Sequence, residues 1–414
     1  MRSARPAWCS LAVVVLLGAS GARALQQPTF RSTTALVQVD AVILDAQGQF
    51  VHGLTADDVT LLEDGKPQKI EQFYVVTHQP ATRASLLAAE EAGRPAAAAH
   101  RVFVLIVDEG HLSAESLMRV QKGAEAFIKE QISPGDAAGV FVNGELYRGR
   151  LTTDKVALLG GVRSAKPATE NRQSLLAAFR EFPRIPSEND ALRISDGSHE
   201  VAERLAREAC RAEAVLCKID GFAEGVQRKI EQKARFYIRS ARVLADRTIQ
   251  TVSAIAESLG QYPGRKTVVL LSEGFFVQDD RATVERLAGR AARAGVTIYA
   301  IDGRGVTSMT GTSDAVSTGA ARATTFDGGE EGPAILTSGT GGFVVRNIDD
   351  MSRAFGMIAR DTSTYYVLGY SPTNTNMNGK FRKIEVKTSI DGATVRARKG
   401  YMATPMAPQK SLWK

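Results

Sequence analysis

The chain has 414 residues, 44% of them hydrophobic and 23% charged, enough for two domains or one domain with large additions. Its formal charge of +7 includes Arg2, Arg5 and Arg23 of an acid-free leader; without them 49 bases face 45 acids, or +4. That balance describes a mildly basic surface and excludes a nucleic-acid footprint.

Residues 1–24 read as a signal peptide. Arg2 and Arg5 precede the apolar "LAVVVLLGAS", which is far shorter than the about 20 residues a membrane span needs. "ARA" at 22–24 places small residues for cleavage near Ala24. Cys9 lies before the apolar core, badly placed for a lipid anchor. No later stretch resembles a span, so the mature protein is expected to be exported, periplasmic or extracellular, with no membrane span.

Residues 29–79 form a first β segment. "TTALVQVDAVILD" alternates in part between apolar and polar residues, and "DAQGQ" turns the chain. "LTADDVTLLEDGKPQKIEQFYVV" predicts a short strand, a hairpin at Asp64-Gly65 and a second strand. Residues 80–99 are alanine-rich and read as a linker.

The pattern changes over 100–361. "VFVLIV" at 102–107 is a continuous apolar run, the mark of a strand buried on both faces. A helical period follows over 114–131, then the strand "AAGVFVN" and a helix near 153–162. Beyond the middle section come a helix at about 243–259, a strand at 267–272, a helix at 281–294 and a strand at 296–301. Residues 306–333 read as a loop, and 349–361 as a helix. Alternating strands and helices predict a doubly wound, mostly parallel sheet with helices on both faces.

The section from about 165 to 240 breaks this rhythm and reads as a helical insertion with solvated charged faces. It holds Cys210 and Cys217, the two cysteines left after the leader. In an exported protein such a pair suggests a disulfide. Seven residues of unbroken helix would hold them about 10 Å apart, so either the helix breaks between them or they stay unpaired.

From 362 to 403 the chain is β again, in "TYYVLGYSP", "GKFRKIEVKT" and "ATVRARKGYM", followed by a tail at 404–414. Each terminal β segment is too small to bury a core alone. The two are expected to pair into one small antiparallel β-sandwich-like domain, with the α/β domain inserted between them.

The middle of the chain resembles a von Willebrand factor A domain through "VFVLIVDEG", "ISPGDAAGVFV", "YPGRKTVVLLSEGF", "AGVTIYAID" and "LTSGTGGFVV". With the flanks "VQVDAVILDAQGQFVHGLTADDVTLLEDGKPQKIEQF", "YYVLGYSP" and "GKFRKIEVKT…VRARKGY", nearly the whole mature chain is similar to the acidobacterial-type von Willebrand factor A-related proteins. The resemblance implies a central parallel sheet with helices and a role in adhesion or protein binding. In that family many domains hold Mg²⁺ or Ca²⁺ through Asp-x-Ser-x-Ser after the first strand, a threonine on a second loop and an aspartate on a third. Hard cations take such oxygen ligands, and an open coordination position accepts a partner's carboxylate. Here Asp108 is retained, Gly110 and Leu112 stand at the two serine positions, and Glu273 stands for the third-loop acid. For the threonine only Thr169 is offered. The site is degenerate, no cofactor is expected, and a divalent cation such as Mg²⁺ would have Asp108, Glu109 and Glu273 as its oxygen ligands.

No H-E-x-x-H, G-x-S-x-G or G-x-x-x-x-G-K occurs. Two functions are therefore weighed. One is an exported, non-catalytic protein-binding module. The alternative is a metal-assisted hydrolase using Asp108, His111 and Glu273, which requires those side chains to converge. In the first, a partner from the envelope or the extracellular space docks at the carboxyl ends of the strands, on Asp108, Glu109, His111, Glu273, Phe275, Phe276, Asp302 and Arg304. One phenylalanine is the anchor and the acids set orientation.

Overall fold

A computed structural model describes residues 36–78, 101–262, 264–277, 280–306 and 329–405. The predicted signal peptide, the linker at 80–99 and most of the 306–333 loop and the tail lie outside the described residues.

Chain order begins with β1 (Val37–Leu44), β2 (Val59–Glu63), β3 (Lys66–Gln68) and β4 (Ile70–Thr77). The Asp64-Gly65 turn is where the sequence put it, with both residues at positive φ. The single strand expected after it is two. β3 pairs with β2, and the chain then crosses so that β4 joins the sheet of β1.

The α/β part runs β5 (Val102–Val107), α1 (Ala114–Glu130), β6 (Ala137–Val142), β7 (Glu145–Leu146) and α2 (Lys155–Ser164). The insertion follows as α3 (Arg172–Ala177), α4 (Glu188–Ser195), α5 (His199–Ala212), α6 (Ala214–Ile219) and α7 (Phe222–Leu259). The sheet resumes with β8 (Lys266–Leu271), α8 (Arg281–Arg293), β9 (Val296–Ile301), α9 (Glu331–Thr340), β10 (Val344–Val345) and α10 (Met351–Ser363). The last strands are β11 (Thr364–Tyr370), β12 (Phe381–Thr388), β13 (Thr394–Ala397) and β14 (Gly400–Met402).

The central sheet is six-stranded in the order β10-β9-β8-β5-β6-β7. All neighbours are parallel except β6 and β7. Every residue of β5, β8 and β9 is buried, as their continuous apolar runs require. Period-2 alternation splits them between two cores. Phe103, Leu105 and Val107 meet α1, α2 and α10 on one face, with Phe127 and Phe355 in the same cluster. Val102, Val104 and Ile106 meet α7, α8 and α9 on the other, with Val252, Val284 and Leu336. Each such fully buried side chain contributes about 1.5–3 kcal/mol of transfer free energy.

Strands from the two ends of the chain pair with each other. One four-stranded sheet has the order β13-β1-β11-β4 and the other β14-β12-β2-β3. Val39 lies opposite Leu368, and Leu61 opposite Val386. The two sheets share one core containing Val39, Ile43, Leu61, Tyr370, Ile384 and Tyr401. Neither end segment holds enough apolar surface to do this alone, which is why the pairing crosses the whole chain.

The insertion has its own core. Val226, Ile230, Ala234, Tyr237 and Ala241 form a buried stripe at helical spacing on α7 and meet Val201 and Leu205 of α5. This stripe extends the helix expected at 243–259 to 38 residues. The charged residues between the stripe positions hid its period. Among the described residues, no helix is long and apolar enough to cross a membrane.

Candidate functional site

The strand order reverses around β5, with β6 on one side and β8 on the other, so the crevice at their carboxyl ends is a topological switch point. Asp108 leaves β5 there, and Ser272 and Glu273 leave β8. The Asp108 N–H donates to Leu271 O at 3.0 Å, which carries the parallel ladder one residue past the strands.

The Asp108 carboxylate is buried and its oxygens are occupied. Ser272 Oγ donates to Oδ2 at 2.7 Å. Thr248 Oγ1, from α7, donates to Oδ1 at 3.0 Å. His111 Nδ1 lies 3.1 Å from Oδ1 and 3.0 Å from Oδ2. Ser272 Oγ also accepts from Gly274 N at 3.0 Å. His111, Thr248 and Ser272 are all buried, so the network is closed to solvent. A charged acceptor with three such partners holds the ends of β5 and β8 against α7.

The other acids are engaged separately. Glu273 Oε1 accepts from Ser113 N at 2.9 Å, at the start of α1, where the helix dipole favours a negative charge. Ser113 itself caps α1, its side chain accepting from Ser116 N. Glu109 accepts from Asn143 N at 2.6 Å and Lys166 N at 2.9 Å, tying down two neighbouring loops. Asp302 is forked by Arg304, with Nη2 2.5 Å from Oδ2 and Nε 2.9 Å from Oδ1. Arg119 of α1 then donates to Gly303 O and Arg304 O and fixes that turn.

Next to this edge, Arg172 and Glu188 form a buried pair at 2.7 Å, and Tyr237 donates its hydroxyl to the same carboxylate. Burial first, and the Glu188 charge second, raise the Tyr237 hydroxyl well above its usual range and keep it a donor. The pair anchors the insertion to the strand-end loop, since Arg172 N donates to Gly110 O at 2.9 Å.

Gly110 and Leu112 bring no oxygen. Leu112 is wholly buried in the sheet core. A Cβ on Gly110 would stand 3.3 Å from Leu244 Cδ2, so α7 packs close to Gly110. Among the described residues no group of three His, Cys, Asp or Glu side chains gathers as a metal site. Of the three residues in the hydrolase reading, Asp108 and His111 share one network, while the Glu273 carboxylate accepts from Ser113 N and the Glu273 N–H donates to His111 O at 3.2 Å. Thr169 is exposed and takes no part. The hydroxyls that do reach Asp108 are those of Thr248 and Ser272, which sequence reasoning missed. Ser272 carried a signal, standing directly before Glu273 in "LSEG". Thr248 carried none, being one polar residue within a long helix.

The two candidate aromatic anchors differ in burial. Phe275 has no exposed surface, packs with Val277 and Leu336, and lies 6.0 Å from the His111 ring. A Cβ on Gly332 would collide with its ring at 2.3 Å, so α9 packs directly on Phe275. Phe276 is half-buried against the insertion core.

The insertion pairs its cysteines. Cys210 and Cys217 form a disulfide with Cα atoms 4.9 Å apart. The helix breaks at Glu213, the non-helical residue between α5 and α6. Around the disulfide, among exposed charges such as Lys218, three large apolar side chains face solvent: Val215 and Ile219, one turn apart on α6, are both 73% exposed, and Phe222 is 64% exposed. Phe222 has φ of 60°, an uncommon backbone conformation for a bulky side chain.

No protein-family model matches the chain, and no curated protein matches it. Among solved structures it is similar to an aerotolerance-related membrane protein from Bacteroides fragilis NCTC 9343 carrying multiple mutations to serines. The identity is 12%, the TM-score 0.28, and the match covers 63% of this chain and 97% of that one.

Proposed function

We propose that the chain is an exported, non-catalytic protein-binding module of the von Willebrand factor A type, whose metal-dependent edge has become structural and whose partner docks on the helical insertion. The sheet order, with an acid at the end of its first strand, supports the domain type. The leader sequence and the Cys210–Cys217 disulfide support export. Asp108, Glu273 and Asp302 are engaged internally and Phe275 lies in the core, which leaves the half-buried Phe276 as the aromatic at the strand-end edge.

The observation that carries the reading is the tip at α6 and the start of α7. Val215, Ile219 and Phe222 expose large apolar side chains beside a disulfide that rigidifies the turn. A strained, exposed aromatic on a rigid support has the character of an interface anchor. The partner is an envelope or extracellular protein with a complementary apolar surface.

The test is recovery of partners from the native envelope fraction by the mature protein, beside Ile219→Ser and Phe222→Ser variants, with and without a chelator. Recovery lost in the variants at unchanged melting temperature supports the tip. Recovery abolished by the chelator alone points back to a cation at the strand-end edge, and unchanged recovery in both variants sinks the tip as the docking site.

A further inference from the structure

At the opposite end of the central sheet, where β8 and β9 begin, a cavity of about 590 Å³ lies between α8 and the sheet containing β1 and β11. It is large enough for a small-molecule ligand. Six basic side chains line it: Arg265, Lys266, Arg290, Arg293, Arg396 and Arg398. The acids lining it are Asp40 and Glu257.

The pairing of these cations is incomplete. Arg396 is bonded to Asp361, and Arg265 reaches Asp40 and Asp361 only at 3.7 and 3.9 Å. Among the described residues, no carboxylate comes within ion-pair distance of Lys266, Arg293 or Arg398. Their partners are backbone carbonyls: Tyr262 O at 3.0 Å for Lys266, Thr404 O at 3.0 Å for Arg293, and Ala292 O for Arg398. Arg265 Nε and Nη1, Arg293 Nη2 and Arg398 Nε are buried without a hydrogen-bond partner.

Aromatic faces take part of the load. Arg265 lies 4.3 Å from the Tyr365 ring centre, and Tyr401 receives Arg293 and Arg398 at 5.1 and 5.5 Å. Such contacts attract the cation but neutralise no charge. Burial pulls both Arg293 and Arg398 below the usual arginine range, and Lys266 down to about 8. Uncompensated buried charge costs several kcal/mol per ion.

We infer that this cavity is a binding site for a small multivalent organic anion, a phosphorylated or polycarboxylate molecule, whose charge the cluster of Arg293, Arg398 and Lys266 completes. Arginine forks suit planar and tetrahedral oxyanions alike. Val37, Val76, Leu287 and Tyr365 also line the cavity and would meet a carbon skeleton. The anion would bridge α8 of the central-sheet part to the C-terminal β segment just after β13.

The test is titration calorimetry and thermal melting of the exported chain with pyrophosphate and with citrate, each against sodium chloride at matched ionic strength. The expected result is saturable binding of at least one probe and a higher melting temperature with it, because a ligand bound to the native state stabilises it. Pyrophosphate alone binding identifies a phosphorylated ligand, and citrate alone a polycarboxylate. Arg398→Gln and Arg293→Gln should each weaken binding at least about tenfold, the cost of one charge-assisted hydrogen bond. Arg290→Ala removes an exposed lining residue, should fold normally, and should weaken binding severalfold. Binding of neither probe, or equal binding by wild type and all three variants, overturns the inference.

Discussion

The Thr248 hydroxyl stands 3.0 Å from an Asp108 oxygen although 140 residues separate them in sequence. This contact brings the long insertion helix onto the carboxyl end of the sheet. It also uses an acceptor site that an adhesion-type cation would need. His111 and Ser272 bond the same carboxylate, so the acid works as a structural bolt between β5, β8 and α7.

Asp108→Ala should therefore destabilise the fold without changing any response to magnesium. Removing the carboxylate leaves two hydroxyls and an imidazole buried without their acceptor, at a cost of about 3 kcal/mol. Denaturant unfolding measures that loss. Calorimetry on the mature wild type should show no saturable heat at low-millimolar Mg²⁺. A clear signal in wild type that disappears in Asp108→Ala would show that the acid does serve a cation.

Phe275→Ser and Phe276→Ser separate core from surface. Phe275 is fully enclosed, and truncating such a residue costs about 3–5 kcal/mol. Phe276 is half-buried, so its loss should be clearly smaller. Partner recovery at a temperature where both variants remain folded should match wild type. Selective loss of recovery in Phe276→Ser would return the docking site to the strand ends.

Much of the fold was legible because its signals are local. The run "VFVLIV" reads as a strand covered on both faces, and all of it is buried. The pairing of the terminal segments followed from each being too small to stand alone. The candidate site was less legible, because its partners are set by tertiary packing. Gly110 beside Asp108 offered no side-chain oxygen, but nothing local said that Leu244 and Thr248 would arrive there. Which of Phe275 and Phe276 would be enclosed was not legible either: α9 closes over Phe275, with Gly332 leaving room for the ring, while Phe276 stays half-buried. The cationic cavity was invisible for the same reason, since Arg265, Arg293 and Arg398 belong to three separate segments and meet only in the fold.

Replacing both Cys210 and Cys217 by serine should loosen the insertion and leave the central sheet intact. Cross-linking so short a loop contributes about 2 kcal/mol by limiting the unfolded chain. Hydrogen exchange should accelerate over residues 199–230 and stay unchanged in β5, β8 and β9. If the apolar tip is the docking site, partner recovery falls in the same variant, because Val215 and Ile219 lose the turn that presents them. Uniform acceleration across the sheet would mean that the insertion and the sheet unfold as one unit.

Lys266 supplies a pH test of the cavity. Burial lowers its ammonium from 10.5 to about 8, with only the Asp40 charge opposing the shift. Because the folded value lies below the unfolded one, the unfolded chain binds more protons between these two values. Stability attributable to this group therefore rises as pH increases through that window, and below about 8 the charged lysine imposes a penalty on the order of 3 kcal/mol. Lys266→Met removes the penalty. The variant should be more stable than wild type at pH 7, and the difference should shrink toward pH 10. A bound anion compensates the same charge, so saturating pyrophosphate or citrate, whichever binds, should reduce the advantage of the variant at pH 7, and the affinity of wild type should fall as Lys266 deprotonates above pH 8. A stability difference that does not change between pH 7 and pH 10 would mean that Lys266 keeps its ordinary basicity in the folded chain.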